Sequence, residues 1–258
     1  MKYDNYIFDL YGTLVDIHTE EEKAEVWEKL ALFFGYYDAC YTPEELRERY
    51  QQLVSERELT AGGADVHEAH PEIRIEEVFD ALFREKGVVA DQTLAIHAGQ
   101  FFRVLSTEYV RLYPGTRQML SSLREAGKKV YLLSNAQRIF TEYELHMLGI
   151  AGYFDDIFIS SECGVKKPDS RFFQMLLKKH ALDVSKSIMI GNDLHCDIEG
   201  AKGVGLSTFY IHSNISPALP QRKTVDEEGR SVLADIWPDA DYVLLKMDME
   251  AVKKMLLK

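Results

Sequence analysis

The feature that most narrows the fold of this chain is the alternation of short, β-rich apolar runs with stretches of helical periodicity. Strand candidates fall at residues 6–8, 130–133, 157–159, 188–190, 208–211 and 242–245. The apolar spacing predicts helices over 116–126 after the Pro114-Gly115 turn, 138–148 ending at Gly149, 170–180, and a short one over 195–202. Strand and helix in alternation is the mark of βαβ units, whose crossovers make neighbouring strands parallel and lay helices on both faces of the sheet. The expectation is an α/β fold with a Rossmann-like, doubly wound parallel sheet.

Residues 17–112 break the alternation. They read as four helical segments, 20–34, 43–58, 75–86 and 91–111, with no convincing strand among them. Tyr36-Tyr37-Asp38, Thr60-Ala61-Gly62-Gly63 and Gly87 separate the segments, and Thr42 before Pro43 supplies a helix start. The expected organisation is a core of residues 1–16 and 113–258 carrying an inserted α-helical domain of residues 17–112.

Four polar sites lie at or just past the C-terminal ends of predicted strands, where open parallel sheets bind ligands. Asp9 follows the first strand and precedes Leu10-Tyr11-Gly12-Thr13; a carboxylate placed there can attack an electrophile and form a covalent intermediate. Ser134 and Asn135 end the second strand and offer a hydroxyl and an amide to anionic oxygens. Lys166-Lys167-Pro168-Asp169 follows the third, and a fixed lysine there can offset charge developing on the reacting group. After the fourth comes Gly191-Asn192-Asp193-Leu194-His195-Cys196-Asp197, in which the i, i+4 spacing of Asp193 and Asp197 puts two carboxylates on one side of a helical turn, able to share a cation and a lysine. Taken singly, each has a plainer explanation: a turn aspartate, a helix cap, solvated lysines, an acidic helix start. Four such sites in this order on successive strands are harder to explain that way.

The stretches FDLYGTLVD, LLSN, GVKKPDSRFF and IGNDLHCDIEGAKGVG resemble, in order and spacing, the four motifs of the haloacid dehalogenase superfamily, over residues 1–16 and about 113–212. The resemblance implies that Asp9 is a nucleophile, that Thr13, Ser134, Asn135 and Lys167 hold the substrate, and that magnesium is bound by Asp9, the Tyr11 carbonyl and the Asn192 or the Asp193 side chain, with Asp197 beside them. It also implies that the helical insertion is a mobile cap. Two departures from the family's phosphatase pattern stand out. Tyr11 occupies the place of the aspartic general acid and base, and a phenol with a pKa near 10 is a poor proton shuttle at neutral pH. Asn192 occupies the place of the first acid of the fourth motif. Asp-x-Tyr-Gly-Thr is also what the family's 2-haloacid dehalogenases carry, although their halide-binding arginine has no clear counterpart among Arg47, Arg49 and Arg57.

Composition bounds the rest. Of 258 residues, 46% are hydrophobic and 28% charged, ordinary values for a globular protein. A net charge of −12 argues against nucleic acid and anionic membranes as partners. No apolar run nears the roughly 18 residues of a membrane span, and the first residues lack the basic region of a signal peptide. Cys40, Cys163 and Cys196 are too sparse for a disulfide framework. The expectation is a cytoplasmic hydrolase, monomeric or homodimeric, acting on a small molecule. Magnesium-assisted phosphatase chemistry leads; 2-haloacid dehalogenation, or a binding or regulatory role with weakened catalysis, are the alternatives.

Overall fold

In the computed structural model, residues 2–61, 70–225 and 231–257 are described; Gly62 and Gly63, expected to separate two helices, lie outside them. The chain runs β1 (Asn5–Phe8), β2 (Val15–Thr19), α1 (Ala24–Gly35), α2 (Pro43–Ala61), α3 (Ile75–Glu85), α4 (Gln92–Ser106) and β3 (Thr107–Leu112). It continues through α5 (Thr116–Glu125), β4 (Lys129–Ser134), α6 (Arg138–Met147), β5 (Asp156–Ile159), α7 (Ser160–Cys163) and α8 (Ser170–Lys179). The last elements are β6 (Ser187–Gly191), α9 (Gly200–Gly203), β7 (Ser207–Ile211), β8 (Gln221–Val225), β9 (Ser231–Asp235), β10 (Tyr242–Leu244) and α10 (Met249–Leu256).

All four residues of β1, Asn-Tyr-Ile-Phe, are buried. A strand covered on both faces reads as a continuous apolar run, and alternate side chains serve opposite cores. Tyr6 and Phe8 join a cluster with Leu132, Ile188, Ile190 and the α5 and α10 residues Met119, Leu120, Val252 and Leu256. Ile7 points the other way, to Tyr131, Leu133, Met189 and the α8 residues Phe172, Phe173 and Leu176. The six-stranded sheet has the order β10-β7-β6-β1-β4-β5, with every pairing parallel. From central β1 the chain builds out to β4 and β5 on one side and to β6, β7 and β10 on the other. The C-terminal ends of β4, β1 and β6 therefore meet at one crevice, the placement that doubly wound sheets use for ligands.

Helices α1 to α4 hold a separate core, with Trp27, Leu30, Phe34, Phe79, Leu82, Phe83 and Phe102 at its centre and Ile139 of α6 at its edge. Phe34 and Phe83 stack at 4.1 Å between centroids. Thr42 and Glu45 form a reciprocal capping box at the start of α2, at 3.0 and 3.1 Å.

Two expectations for this region fail. The predicted helix over 91–111 ends at Ser106, and Thr107–Leu112 is a strand, β3. Its sequence, TEYVRL, is rich in β-branched and aromatic residues, and that preference overrides the helical spacing carried on from α4. Its partner, β2, was not foreseen either. The two pair antiparallel as a sheet of their own, with a bulge between His18 and Thr19, and add nothing to the central sheet. The β8–β9 pairing and α10 were likewise not anticipated.

Candidate active site

Asp9 sits one residue beyond β1. Its N–H donates to Ile190 O at 2.9 Å, which carries the β1–β6 ladder one step further, and the carboxylate is buried. The chain then coils tightly: the amides of Leu14 and Val15 both donate to Leu10 O, at 2.8 and 2.9 Å. Gly12 makes this possible with a φ of 84°, a left-handed conformation that side chains disfavour. The coil returns the Thr13 hydroxyl to within 3.3 Å of Asp9 Oδ2.

Lys167 enters from the loop before α8. Its ammonium donates at 2.7 Å both to Asp9 Oδ1 and to Asp197 Oδ1, and all three groups are buried. Burial works against the lysine's charge, but Asp197 and Asp9 outweigh it and hold the ammonium well above its usual range. Asp197 is pushed up to about 7 by burial, with Lys167 opposing. The two short contacts tie the one ammonium to both carboxylates. The other oxygen of Asp197 accepts from the Asn192 and Asp193 amides at 3.0 Å each. Gly191 leaves room for this, since a Cβ there would stand 2.2 Å from Asp197 Oδ2.

The sequence-derived residues separate into two groups. Asp9, Thr13, Lys167, Asp197 and Asn192 converge. Ser134 ends β4 with its hydroxyl buried and, among the described residues, without a hydrogen-bond partner. The others do not have the places expected. Asn135 does not present its amide to the crevice: Nδ2 donates to Lys167 O at 2.9 Å and Oδ1 accepts from Lys167 N at 2.8 Å, so both ends are used to fix the lysine's backbone. Asp193 is not paired with Asp197 around a common point. Its backbone is extended, and its Oδ1 caps the π-helical turn Leu194–Glu199 by accepting from His195 N and Cys196 N at 2.8 Å. Tyr11 directs its hydroxyl to α6. Its hydroxyl donates to Glu144 Oε2 at 2.6 Å and lies 3.0 Å from Thr141 Oγ1. Burial first, then Glu144, push this phenol far above its usual range, so it stays protonated. Arg47, Arg49 and Arg57 pair with Glu22, with Glu85 and Glu56, and with Glu77. Glu144 and Arg103, which surround Tyr11, were missed; the signal was a glutamate set among Ile139, Thr141 and Leu145 on the buried stripe of α6.

The donor set suits a hard cation. One end of the Asn192 amide is 3.0 Å from Tyr11 O, 3.3 Å from Asp9 Oδ2 and 3.0 Å from Thr13 Oγ1. With the amide nitrogen turned inward it donates to these oxygens. With the oxygen inward, Asn192, Tyr11 O and Asp9 Oδ2 form a cluster of oxygen ligands with one formal negative charge, the type that magnesium favours.

The family model described as haloacid dehalogenase-like hydrolase matches residues 3–205. The chain belongs to this family. Among its relatives in the family, the glyceraldehyde 3-phosphate phosphatase of Methanothermobacter thermautotrophicus is 32% identical over 123 residues, 48% of this chain and 54% of that protein. That of Methanopyrus kandleri is 26% identical over 205 residues, 80% of this chain and 82% of that one. The matched segment spans about half the length of the first of these curated relatives. Two solved structures share the fold. A haloacid dehalogenase family phosphatase from Thermococcus onnurineus has a TM-score of 0.57 at 20% identity, covering 99% and 98% of the two chains. A 2-haloacid dehalogenase from Pseudomonas syringae pv. Tomato has a TM-score of 0.56 at 20% identity, covering 99% and 100%. No helix among the described residues is long and apolar enough to cross a membrane.

Proposed function

We propose that this haloacid dehalogenase-like hydrolase is a magnesium-dependent phosphatase of a small phosphorylated metabolite, with Asp9 as its nucleophile. The observation that carries the reading is the buried contact of Asp9 with Lys167, beside the oxygen cluster of Asp9, Tyr11 O and Asn192. The fixed ammonium holds Asp9 Oδ1 in place at a crevice where one more anionic group can be offset. The curated relatives named as phosphatases of small sugar phosphates agree with this.

In this reading an Asp9 oxygen attacks phosphorus, the ester P–O bond breaks, and the departing alkoxide takes a proton from solvent. Water then attacks the phosphorus of the aspartyl phosphate, returning the carboxylate and releasing phosphate. Lys167 offsets the negative charge that gathers on the transferred group. The unpartnered Ser134 hydroxyl is free to donate to a phosphoryl oxygen, and the Thr13 hydroxyl can do so by exchanging its contact with Asp9 or Asn192. Asn135 and Asp197 act on Lys167, one fixing its backbone and the other its ammonium. Asp9, Tyr11 O and Asn192 would hold magnesium, which supplies further charge neutralisation. Helices α1 to α4, carried on the β2–β3 pair, serve as the cap that excludes water.

A second reading, 2-haloacid dehalogenation, draws on Tyr11, which leaves the position two after the nucleophile without a carboxylic acid; halide departs without a proton. One panel separates the readings: phosphate esters and 2-haloacids, each with magnesium and with excess chelator, on wild type and Asp9→Asn. Phosphate release that needs magnesium and disappears in a folded Asp9→Asn variant is the expected result. Haloacid turnover indifferent to chelator would replace the phosphatase reading, and near-normal turnover in Asp9→Asn would remove the covalent mechanism altogether.

A further inference from the structure

Helix α4 meets α6 at Gly99, where an added Cβ would lie 2.5 Å from Ile139 Cδ1. The missing side chain lets the helices approach closely, and four residues on, the same face of α4 carries Arg103. Arg103 Nε donates to Glu144 Oε1 of α6 at 2.8 Å. The other oxygen of Glu144 accepts from Tyr11, and the Arg103 guanidinium lies 5.7 Å from the centroid of the Tyr11 ring. Glu144 is only 8% exposed, and a buried carboxylate is tolerated only when matched by charge and hydrogen bonds. Here the charge arrives from α4, and the hydrogen bond arrives from the turn that carries Asp9, Tyr11 and Thr13.

We propose that Glu144 and Arg103 are positioning residues, and that the Arg103–Glu144–Tyr11 chain fixes the turn after Asp9 only while α4 is seated on α6. Anchoring the Tyr11 ring fixes its backbone, and with it the Tyr11 carbonyl beside the Asn192 amide and the Thr13 hydroxyl beside Asp9. If helices α1 to α4 swing away from the sheet, Glu144 loses its cation and Tyr11 loses its anchor. Seating of the helical layer and alignment of the nucleophile are then a single event. The inference rests on Asp9 as the nucleophile, and it gives the Tyr11 side chain a mechanical role in place of proton transfer.

The test uses Arg103→Met, which keeps bulk and removes charge, with Arg103→Lys as the conservative control, Tyr11→Phe, and the Arg103→Met/Tyr11→Phe double variant. In protein labelled with 3-fluorotyrosine, the Tyr11 fluorine signal is the one missing from Tyr11→Phe. Arg103→Met should shift it, and Arg103→Lys should shift it less. With a phosphate ester, Arg103→Met should lower kcat roughly ten- to a hundred-fold, the scale of an ångström's misplacement, with KM changed less than about three-fold. The double variant should be no slower than the slower single one, because both substitutions cut one chain. An unmoved Tyr11 signal, a moved signal with unchanged kcat, or losses that multiply in the double variant would each overturn the proposal. A shifted Tyr11 signal in a protein that turns over no phosphate ester would leave the chain of contacts standing and remove the phosphatase reading instead. Should Arg103→Met fail to fold, Gly99→Val, which pushes α4 off α6, must reproduce the same signal shift and kcat loss.

Discussion

Replacing Lys167 by methionine keeps the volume of the side chain and removes the charge between Asp9 and Asp197. At an effective dielectric of about 20, a unit pair at the observed 2.7 Å attracts by about 6 kcal/mol, and Lys167 makes two such contacts. Burying the three ions costs several kcal/mol each, so little of that attraction remains as net stability in the intact cluster. Deletion behaves differently, because it leaves the carboxylates desolvated and facing each other with nothing between them. Removing one member of a buried pair typically costs about 3–5 kcal/mol, a large part of the roughly 5–15 kcal/mol that holds a domain together. Without magnesium, Lys167→Met should lower the urea midpoint by roughly 1–2 M. The loss has a pH signature. Burial already pushes Asp197 up to about 7 against the opposition of Lys167, and without the lysine it rises further. A carboxyl raised in the fold above its unfolded value destabilises progressively as pH climbs between the two values. Below about 7 Asp197 is largely protonated in both folds, so the deficit relative to wild type should widen as pH rises above that value. Asp197→Asn added to Lys167→Met should recover at least half of it. A Lys167→Met midpoint within about 0.3 M of wild type at pH 7.5, or a double variant no more stable than the single one, would refute this account of the cluster.

Gly12→Ala should weaken magnesium binding at least ten-fold by calorimetry: the position has a φ of 84°, and the new Cβ would stand 2.2 Å from Asn192 Nδ2, so the turn and the amide must both shift. Asp16 anchors the β2–β3 pair by accepting from Arg111 at 2.8 and 2.9 Å and from Asn214 Nδ2 at 2.8 Å. Burial favours its neutral form, but the Asn214 and Arg111 hydrogen bonds prevail and hold its carboxyl below the usual range. A carboxyl lowered in the fold stabilises above its unfolded pKa and ceases to do so as pH falls through its folded one. Asp16→Asn should therefore melt earlier than wild type at pH 7, and the two melting curves should converge below about pH 4, near the carboxylate reference range; a gap that persists at acid pH would count against the ion pair.

What the sequence made legible follows from where each signal originates. β1, β4 and β6 were readable because strands buried on both faces must be apolar throughout, and Asp9, Ser134 and Asn192 stood out as the polar residues that end such runs. The β2–β3 pair lay hidden because its residues are only half buried and its second strand continues the apolar spacing of α4. Side-chain direction was the weakest inference. Residues 9 and 11 would share a face if the strand continued, but the coil at Gly12 ends that periodicity, and Tyr11 leaves for α6. Spacing of i to i+4 joined Asp193 to Asp197 only on the assumption that both were helical; Asp193 is the extended residue before the turn. Asn135 clasps a backbone 32 residues away and Arg103 a carboxylate 41 residues away, and no local pattern encodes such contacts.

The position of β1 also sets a timetable. This strand leaves the ribosome before the other five of its sheet, and both of its neighbours, β4 and β6, come from beyond residue 128. At roughly 5–20 residues per second, the interval between Phe8 and Lys129 lasts about 6–24 s. During it the apolar Tyr-Ile-Phe run has no sheet to join, while helices α1 to α4 can already close their own core from neighbouring sequence. The helical layer can then form before the strand that precedes it, and Asp9 waits beyond an unpaired strand until β4 and β6 have been made.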